Sequence, residues 1–110
     1  METERARQLL EAERQRITEE AANLGFQTTD ELSTLDPGDT AADLYQEELD
    51  QGRLQDLQEQ LAALERAEQR LEEGTYGVSV ESGQPIPDER LELIPTAERT
   101  AEEQARFEGR

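Results

Sequence analysis

Residues 76–83 read Tyr76-Gly77-Val78-Ser79-Val80-Glu81-Ser82-Gly83. The pattern continues through Ile86-Pro87-Asp88-Glu89-Arg90-Leu91-Glu92, Pro95-Thr96-Ala97 and Thr100-Ala101-Glu102-Glu103-Gln104. The alternation over Tyr76–Val80 and the turn residues Gln84-Pro85-Ile86-Pro87 predict turns and short strands over 75–95. A short C-terminal helix is expected over 96–108, with Thr96 as its cap after Pro95 and with Glu98 and Glu102 early, where the helix dipole favours acids. About 35 residues rarely fold alone without a staple. This segment must therefore lean on the rest of the chain, with Tyr76, Val78, Val80, Ile86, Leu91, Leu93, Ile94 and Phe107 as its expected core. A metal is not the expected staple. A structural zinc site needs four Cys or His ligands, and the chain has neither residue. Neutral hydroxyls are poor zinc ligands and a single carboxylate cannot hold a site, so no metal and no cofactor is expected. Without Cys, disulfide and thiol chemistry are excluded as well.

Upstream of this lobe the chain is helical in pattern. Residues 3–25 carry Leu10, Ile17 and Leu24 at heptad spacing, widened by Ala6 and Ala21, with Thr3 as a cap and Gly25 as a stop. A polar connection follows over 26–38, with a helical turn around Glu31-Leu32. A second helix is expected from Asp39 or Thr40 to Glu73, roughly 34 residues and so about 50 Å long. Its seam is Leu54, Leu57, Leu61, Leu64 and Leu71, with Glu68 at the apolar position between the last two. Ala41, Tyr45 and Leu49 continue the stripe in shifted phase. Gly52 costs ~1 kcal/mol relative to Ala inside a helix. Two amphipathic helices joined by a short loop fold back most simply as an antiparallel pair. The expected fold is therefore mostly α: a long antiparallel coiled-coil hairpin over 1–74, its tip at about 33–42, and a small lobe over 75–110.

Composition narrows the partners. The 110 residues are 33% hydrophobic and 4% aromatic, too little for a sizeable globular core but enough for one buried stripe per helix. The formal net charge is −17, and every basic side chain is Arg. Such a charge argues against binding nucleic-acid phosphates, which requires cations, and against an anionic membrane surface. It suits a basic protein groove, or simply a solvated surface. No apolar run approaches the ~20 residues of a membrane span, and the start Met1-Glu2-Thr3-Glu4-Arg5 has no signal-peptide character. A cytoplasmic protein is expected.

The frame over 76–104 resembles the C-terminal module of the DksA/TraR family, roughly YGxCxxCGxxIxxxRLExxPxAxxCxxC. The glycines, the prolines and the Arg90-Leu91 pair match. The four cysteines do not: Ser79, Ser82, Thr100 and Glu103 stand in their places. The resemblance thus implies a zinc-finger-like lobe lacking zinc. Ser79, Ser82 and Thr100 are expected to replace metal bonds with hydrogen bonds to turn backbone, and Glu103 to pair with an Arg. A second motif strengthens the resemblance. DksA-like factors carry DxxDxA at the tip of their coiled coil, matched here by Asp36, Asp39 and Ala41 at the family's distance from the finger. Asp36-Pro37-Gly38-Asp39 is also ordinary turn chemistry, and Asp39 a good N-cap. The resemblance covers roughly residues 35–105.

The family resemblance implies a transcription regulator that binds bacterial RNA polymerase through its secondary channel, with Asp36, Asp39 and Ala41 acting near the catalytic centre. It implies a monomer that is not itself an enzyme. Where better-known members place cations around the alarmone ppGpp, matching without gaps puts Ala63, Ile94 and Gln104, none of which pairs with phosphate; a ppGpp-independent factor is expected. Two alternatives remain: a Gre-like transcript cleavage factor, which also uses an acidic coiled-coil tip, and a structural or adaptor coiled coil that self-associates through the Leu54–Leu71 seam.

Overall fold

The computed structural model describes residues 1–34 and 51–109, and these contain five helices: α1 (Thr3–Asn23), α2 (Thr29–Thr34), α3 (Gln51–Glu73), α4 (Asp88–Leu93) and α5 (Ala101–Glu108). There is no strand among the described residues; Val78 and Pro85 form a single antiparallel bridge. The chain is mostly helical, with paired helices. The tip residues Asp36, Asp39 and Ala41, the expected start of the second helix, and Tyr45 and Leu49 lie outside the described residues.

Glycine ends both long helices by the same device. Gly25 takes φ 100°, its N–H donates to Ala22 O, and the N–H of Phe26 reaches back to Ala21 O at 2.9 Å. At the end of α3, Gly74 takes φ 80°, and the N–H of Thr75 donates to Arg70 O at 2.9 Å. These paired bonds satisfy carbonyls that the last turn would otherwise leave open, and they need a left-handed residue that glycine supplies without strain. The expected turn around Glu31-Leu32 is α2. Thr28 Oγ1 accepts from Glu31 N, and Gln27 N donates to the Glu31 carboxylate.

The chain packs as two units, Met1–Ala12 with Leu64–Arg110, and Glu13–Ala63. In the second, Ile17, Ala21, Phe26, Leu32, Leu54, Leu57 and Leu61 are buried. At its surface, Arg16 pairs with Glu13 and Glu20 and donates to Gln60, while Gln58 Nε2 donates to Leu32 O. In the first unit the buried residues of the two long helices are Ala6, Leu10, Leu64 and Ala67. Ala67 corrects the seam read from sequence: it is fully buried, while Glu68 and Leu71 are only partly covered. The stripe thus steps from Leu64 by three to Ala67, because a helix of 3.6 residues per turn drifts against a strict 3-4 alternation. Leu24, expected on the stripe of α1, is half-buried just beyond the end of its helix.

The rest of the first unit is the lobe, which departs from expectation in three ways. Residues 88–93 are a helix rather than turn or strand. A six-residue helix shows too little of the helical period to be read as such, and its local signal is Pro87 followed by Asp88 and Glu89 in the first turn. The C-terminal helix starts at Ala101, capped by Thr100 rather than Thr96. The reason is visible in spacing: Thr100-x-x-Glu103 makes a reciprocal capping box, whereas Thr96 has Arg99 three residues on. The lobe core is also smaller than expected. Ile86, Leu91 and Ala97 form it with Tyr76 packed against them, while Val78, Val80, Leu93, Ile94 and Phe107 are exposed. An excursion of some 35 residues with one short bridge has few inward-facing positions.

Candidate functional site

The backbone of the lobe is shaped by two left-handed glycines. Gly77 has φ 88° and its carbonyl accepts from Ile86 N at 2.8 Å; Gly83 has φ 76° and its N–H donates to Ser79 O at 2.9 Å. Between them the chain makes a tight knuckle closed by Ser79 N donating to Gln84 O. Each further element of the sequence frame has a structural use. The Tyr76 hydroxyl donates to Pro95 O at 2.7 Å. Burial pushes the Tyr76 phenol up to about 12, a shift opposed by Arg70 and aided by Glu92. Arg90 Nε donates to Arg99 O, Leu91 is fully buried, and Glu92 receives a two-pronged bond from Arg5.

The four positions Ser79, Ser82, Thr100 and Glu103 meet. Ser79 and Glu103 are the buried polar residues, 4% and 6% exposed. Ser79 Oγ accepts from the backbone N–H of Glu81 at 3.0 Å and of Ser82 at 3.2 Å, and Ser82 Oγ accepts from Gln84 N. The Glu103 carboxylate accepts from Thr100 N at 2.9 Å. Thr100 Oγ1 accepts from Glu103 N. The hydroxyls of Ser79 and Ser82, then the Thr100 backbone, hold the Glu103 carboxyl down at about 2 against the opposing effect of its burial. The hydroxyls thus bond turn backbone as expected. Glu103, expected to pair with an Arg, accepts from the Thr100 backbone instead. Three hydroxyls and one carboxylate do not fit a structural zinc ion, which wants thiolate or imidazole. The serine oxygens already accept from turn backbone, and Thr100 and Glu103 bond each other in the capping box.

A second carboxylate fastens the lobe to α3. Glu98 accepts from Arg66 Nε at 2.9 Å and Arg70 Nη1 at 3.0 Å, and its backbone carbonyl accepts from Val80 N. Burial pushes Glu98 up, but the bond and charge of Arg66, with Arg70, outweigh it and hold the carboxyl below its ordinary value. Alongside, Arg99 pairs with Glu81 and lies 3.8 Å over the Phe107 ring, a cation–π contact. Sequence reading missed Glu98 as an anchor. The pattern Arg66-x-x-x-Arg70 on one helix face is its only local trace. Of the positions matched to the family's alarmone cations, Ile94 is 44% exposed and Gln104 donates to Glu108, while Ala63 is half-buried in the other unit. Among the described residues no group of three or more His, Cys, Asp or Glu is arranged to hold a metal, and no helix is long and apolar enough to cross a membrane.

Residues 74–109 match the family model of the prokaryotic dksA/traR C4-type zinc finger. Similar proteins include the uncharacterised protein YteA of Bacillus subtilis, 45% identical over 74 residues, 66% of this chain and 31% of the relative. General stress protein 16O of the same organism is 50% identical over 50 residues, 46% of this chain and 31% of the relative. The RNA polymerase-binding transcription factor DksA of Caulobacter vibrioides is 42% identical over 59 residues, 53% of this chain and 42% of the relative. The matched stretch thus spans less than half the length of these relatives. No solved structure matches the chain. The lobe is of the C4 zinc-finger class in frame. Residues 74–109 belong to the dksA/traR C4-type finger family, as a finger that has no cysteine.

Proposed function

We propose that this chain is a transcription regulator that binds bacterial RNA polymerase in the cytoplasm and performs no chemistry of its own. The observation that carries this reading is the match of residues 74–109 to the dksA/traR finger family, together with a relative named for polymerase binding. The proposed architecture is an antiparallel coiled-coil hairpin bearing a zinc-less lobe. It is supported by the pairing of Met1–Ala12 with residues beyond Leu64 in one unit and of Glu13 onward with residues up to Ala63 in the other. In this reading the hairpin enters the secondary channel as a monomer and carries Asp36, Asp39 and Ala41 toward the catalytic centre. Two carboxylates there pair with cationic side chains of the enzyme, and the small Ala41 permits close approach. A net charge of −17 steers the chain to a basic channel rather than to nucleic acid. The action is ppGpp-independent, since Ala63, Ile94 and Gln104 offer no cation to a phosphate.

Co-purification of the full chain with core polymerase tests the reading, with the Asp36/Asp39 double substitution run in parallel. Retention of both proteins, with a transcriptional effect only for wild type, is the expected result. Failure of the wild-type chain to bind core or holoenzyme would sink it. A chain that binds and stimulates RNA cleavage in backtracked complexes would instead be a Gre-like factor.

A further inference from the structure

We propose that the segment 92–98 is an ionic strap that holds the lobe on the two long helices, so that the lobe detaches as one piece while those helices stay folded. Three of its residues, three apart in sequence, are fastened. Glu92 on α4 accepts from Arg5 on α1, from Nε at 2.9 Å and from Nη2 at 2.7 Å. The Pro95 carbonyl accepts from the Tyr76 hydroxyl at 2.7 Å. Glu98 accepts from two arginines one turn apart on α3: Nε and Nη2 of Arg66 at 2.9 and 3.1 Å, and Nη1 of Arg70 at 3.0 Å. The Glu98 carbonyl also takes the Val80 N–H at 2.8 Å. One residue thus joins α3 to the knuckle.

Polar bonds carry this attachment because the apolar cluster of the lobe stays within the lobe. Ile86, Leu91 and Ala97, with Tyr76 against them, include no residue of α1 or α3. The two ends of the strap differ in strength. Arg5 and Glu92 are half exposed, and such a pair contributes little by itself. Glu98 is 20% exposed and Arg70 13%, so this pair is largely withdrawn from water. Removing one member of such a pair leaves the other charge buried without a counter-charge. Arg70 is the more dependent partner. Its Nη2 is buried with no hydrogen-bond partner, and Glu98 is the carboxylate that its Nη1 meets. Releasing the strap breaks charged bonds and leaves the lobe's own cluster whole. A region held by few apolar contacts and by solvent-accessible polar bonds opens before the rest of the fold.

Native-state hydrogen exchange of the full chain at pH 7, followed by NMR, tests the proposal with wild type and E98A. The lobe is read at the amides of Gly83 and Ile86, which bond Ser79 O and Gly77 O inside it, away from the strap. The helices are read at Leu61 and Leu64, within α3. We expect E98A to speed exchange at the two lobe amides by about tenfold or more, the effect of losing hydrogen bonds to a charged group. The two helix amides should keep their wild-type rates. Wild-type rates at the lobe amides of E98A would overturn the proposal. So would equal acceleration in lobe and helix, which would mean that the lobe never opens by itself. Ionic strength supplies the second arm. Raising it from about 0.05 M to about 1 M shortens the Debye length to ~3 Å. Lobe exchange in wild type should then speed up, and in E98A respond less. Screening a net charge of −17 relieves self-repulsion and so protects the fold in general. A lobe-specific acceleration is therefore not a general effect of salt. Lobe exchange that stays constant or slows in wild type would show that the tie is not ionic, and the proposal fails.

Discussion

Glu103 is an anion held by donors, and this fixes the sign of its response to acid. Its carboxyl falls from the ordinary 4.5 to about 2 in the folded chain, first through Ser79 and Ser82. A group depressed on folding stabilises the native state fully above its unfolded value, and the contribution disappears as pH falls from about 4.5 through about 2. Glu98, also depressed by its arginines, acts in the same direction. The stability difference between wild type and Glu103→Gln, read by denaturant titration at a series of pH values, should therefore be full at pH 6–7 and shrink below pH ~4.5. A difference independent of pH would show that the carboxylate makes no special bonds in the folded state. Tyr76→Phe removes the bond to Pro95 O and should cost about 1 kcal/mol, read by the same denaturant titration. Little of this was legible in sequence. Ser79, Ser82, Thr100 and Glu103 were recognisable as a set only through the family frame. Their bonds depend on a register set by Gly77, Gly83 and the Thr100 cap, which no local pattern of the sequence displays.

Among the elements, the long helices were the readable part and the lobe the opaque one. Ala6, Leu10, Ile17 and Ala21 on α1, and Leu54, Leu57, Leu61 and Leu64 on α3, repeat often enough for the apolar stripe to stand out, and all are buried. Leu61→Ala and Leu64→Ala should each cost ~2–4 kcal/mol, since a side chain so enclosed leaves a cavity with little freedom to collapse. Equilibrium unfolding that shows less than about 1 kcal/mol for both would mean the stripe is not the core. Ala67 supplies the sharper test of the corrected register. It is fully buried, so Ala67→Leu should destabilise by ~1–3 kcal/mol through overpacking. The same change at the half-exposed Glu68 creates no such clash. The seam read from leucines alone makes the opposite prediction, with gain at 68 and indifference at 67. In the lobe, α4 has six residues and α5 eight, and the core is Ile86, Leu91 and Ala97 with Tyr76. Elements this short are set by caps and tertiary bonds, such as Arg90 to Arg99 O, rather than by periodicity.

For the whole molecule, the proposed function assigns regulation and binding to different parts of the chain, and this separates two predictions. Adding ppGpp should leave the factor's effect on transcription unchanged, because the matched positions carry Ala63, Ile94 and Gln104 and a chain of charge −17 repels a polyanion. A nucleotide-dependent increase in factor-specific inhibition in vitro would overturn that reading and direct attention to Arg99 or Arg106. The tip is the more demanding case. Asp36, Asp39 and Ala41 stand out through a family motif placed at the right distance from the finger, while their residue types are also those of ordinary turn sequences. Asp39→Asn and Ala41→Thr should each abolish the transcriptional effect while leaving polymerase binding nearly intact. In the proposed function the area that binds comes from the hairpin and the lobe, and the effect from the few side chains that reach the catalytic centre. Asn caps a helix about as well as Asp, so loss of activity in the first variant cannot be assigned to fraying. In the second, charge is untouched and only bulk is added, so its failure is steric. Abortive-initiation assays alongside a pull-down resolve the two readouts. If both variants regulate like wild type, the turn is inert, and a self-associating adaptor, visible as a concentration-dependent mass in solution, explains the Leu54–Leu71 seam better than a channel-binding factor does.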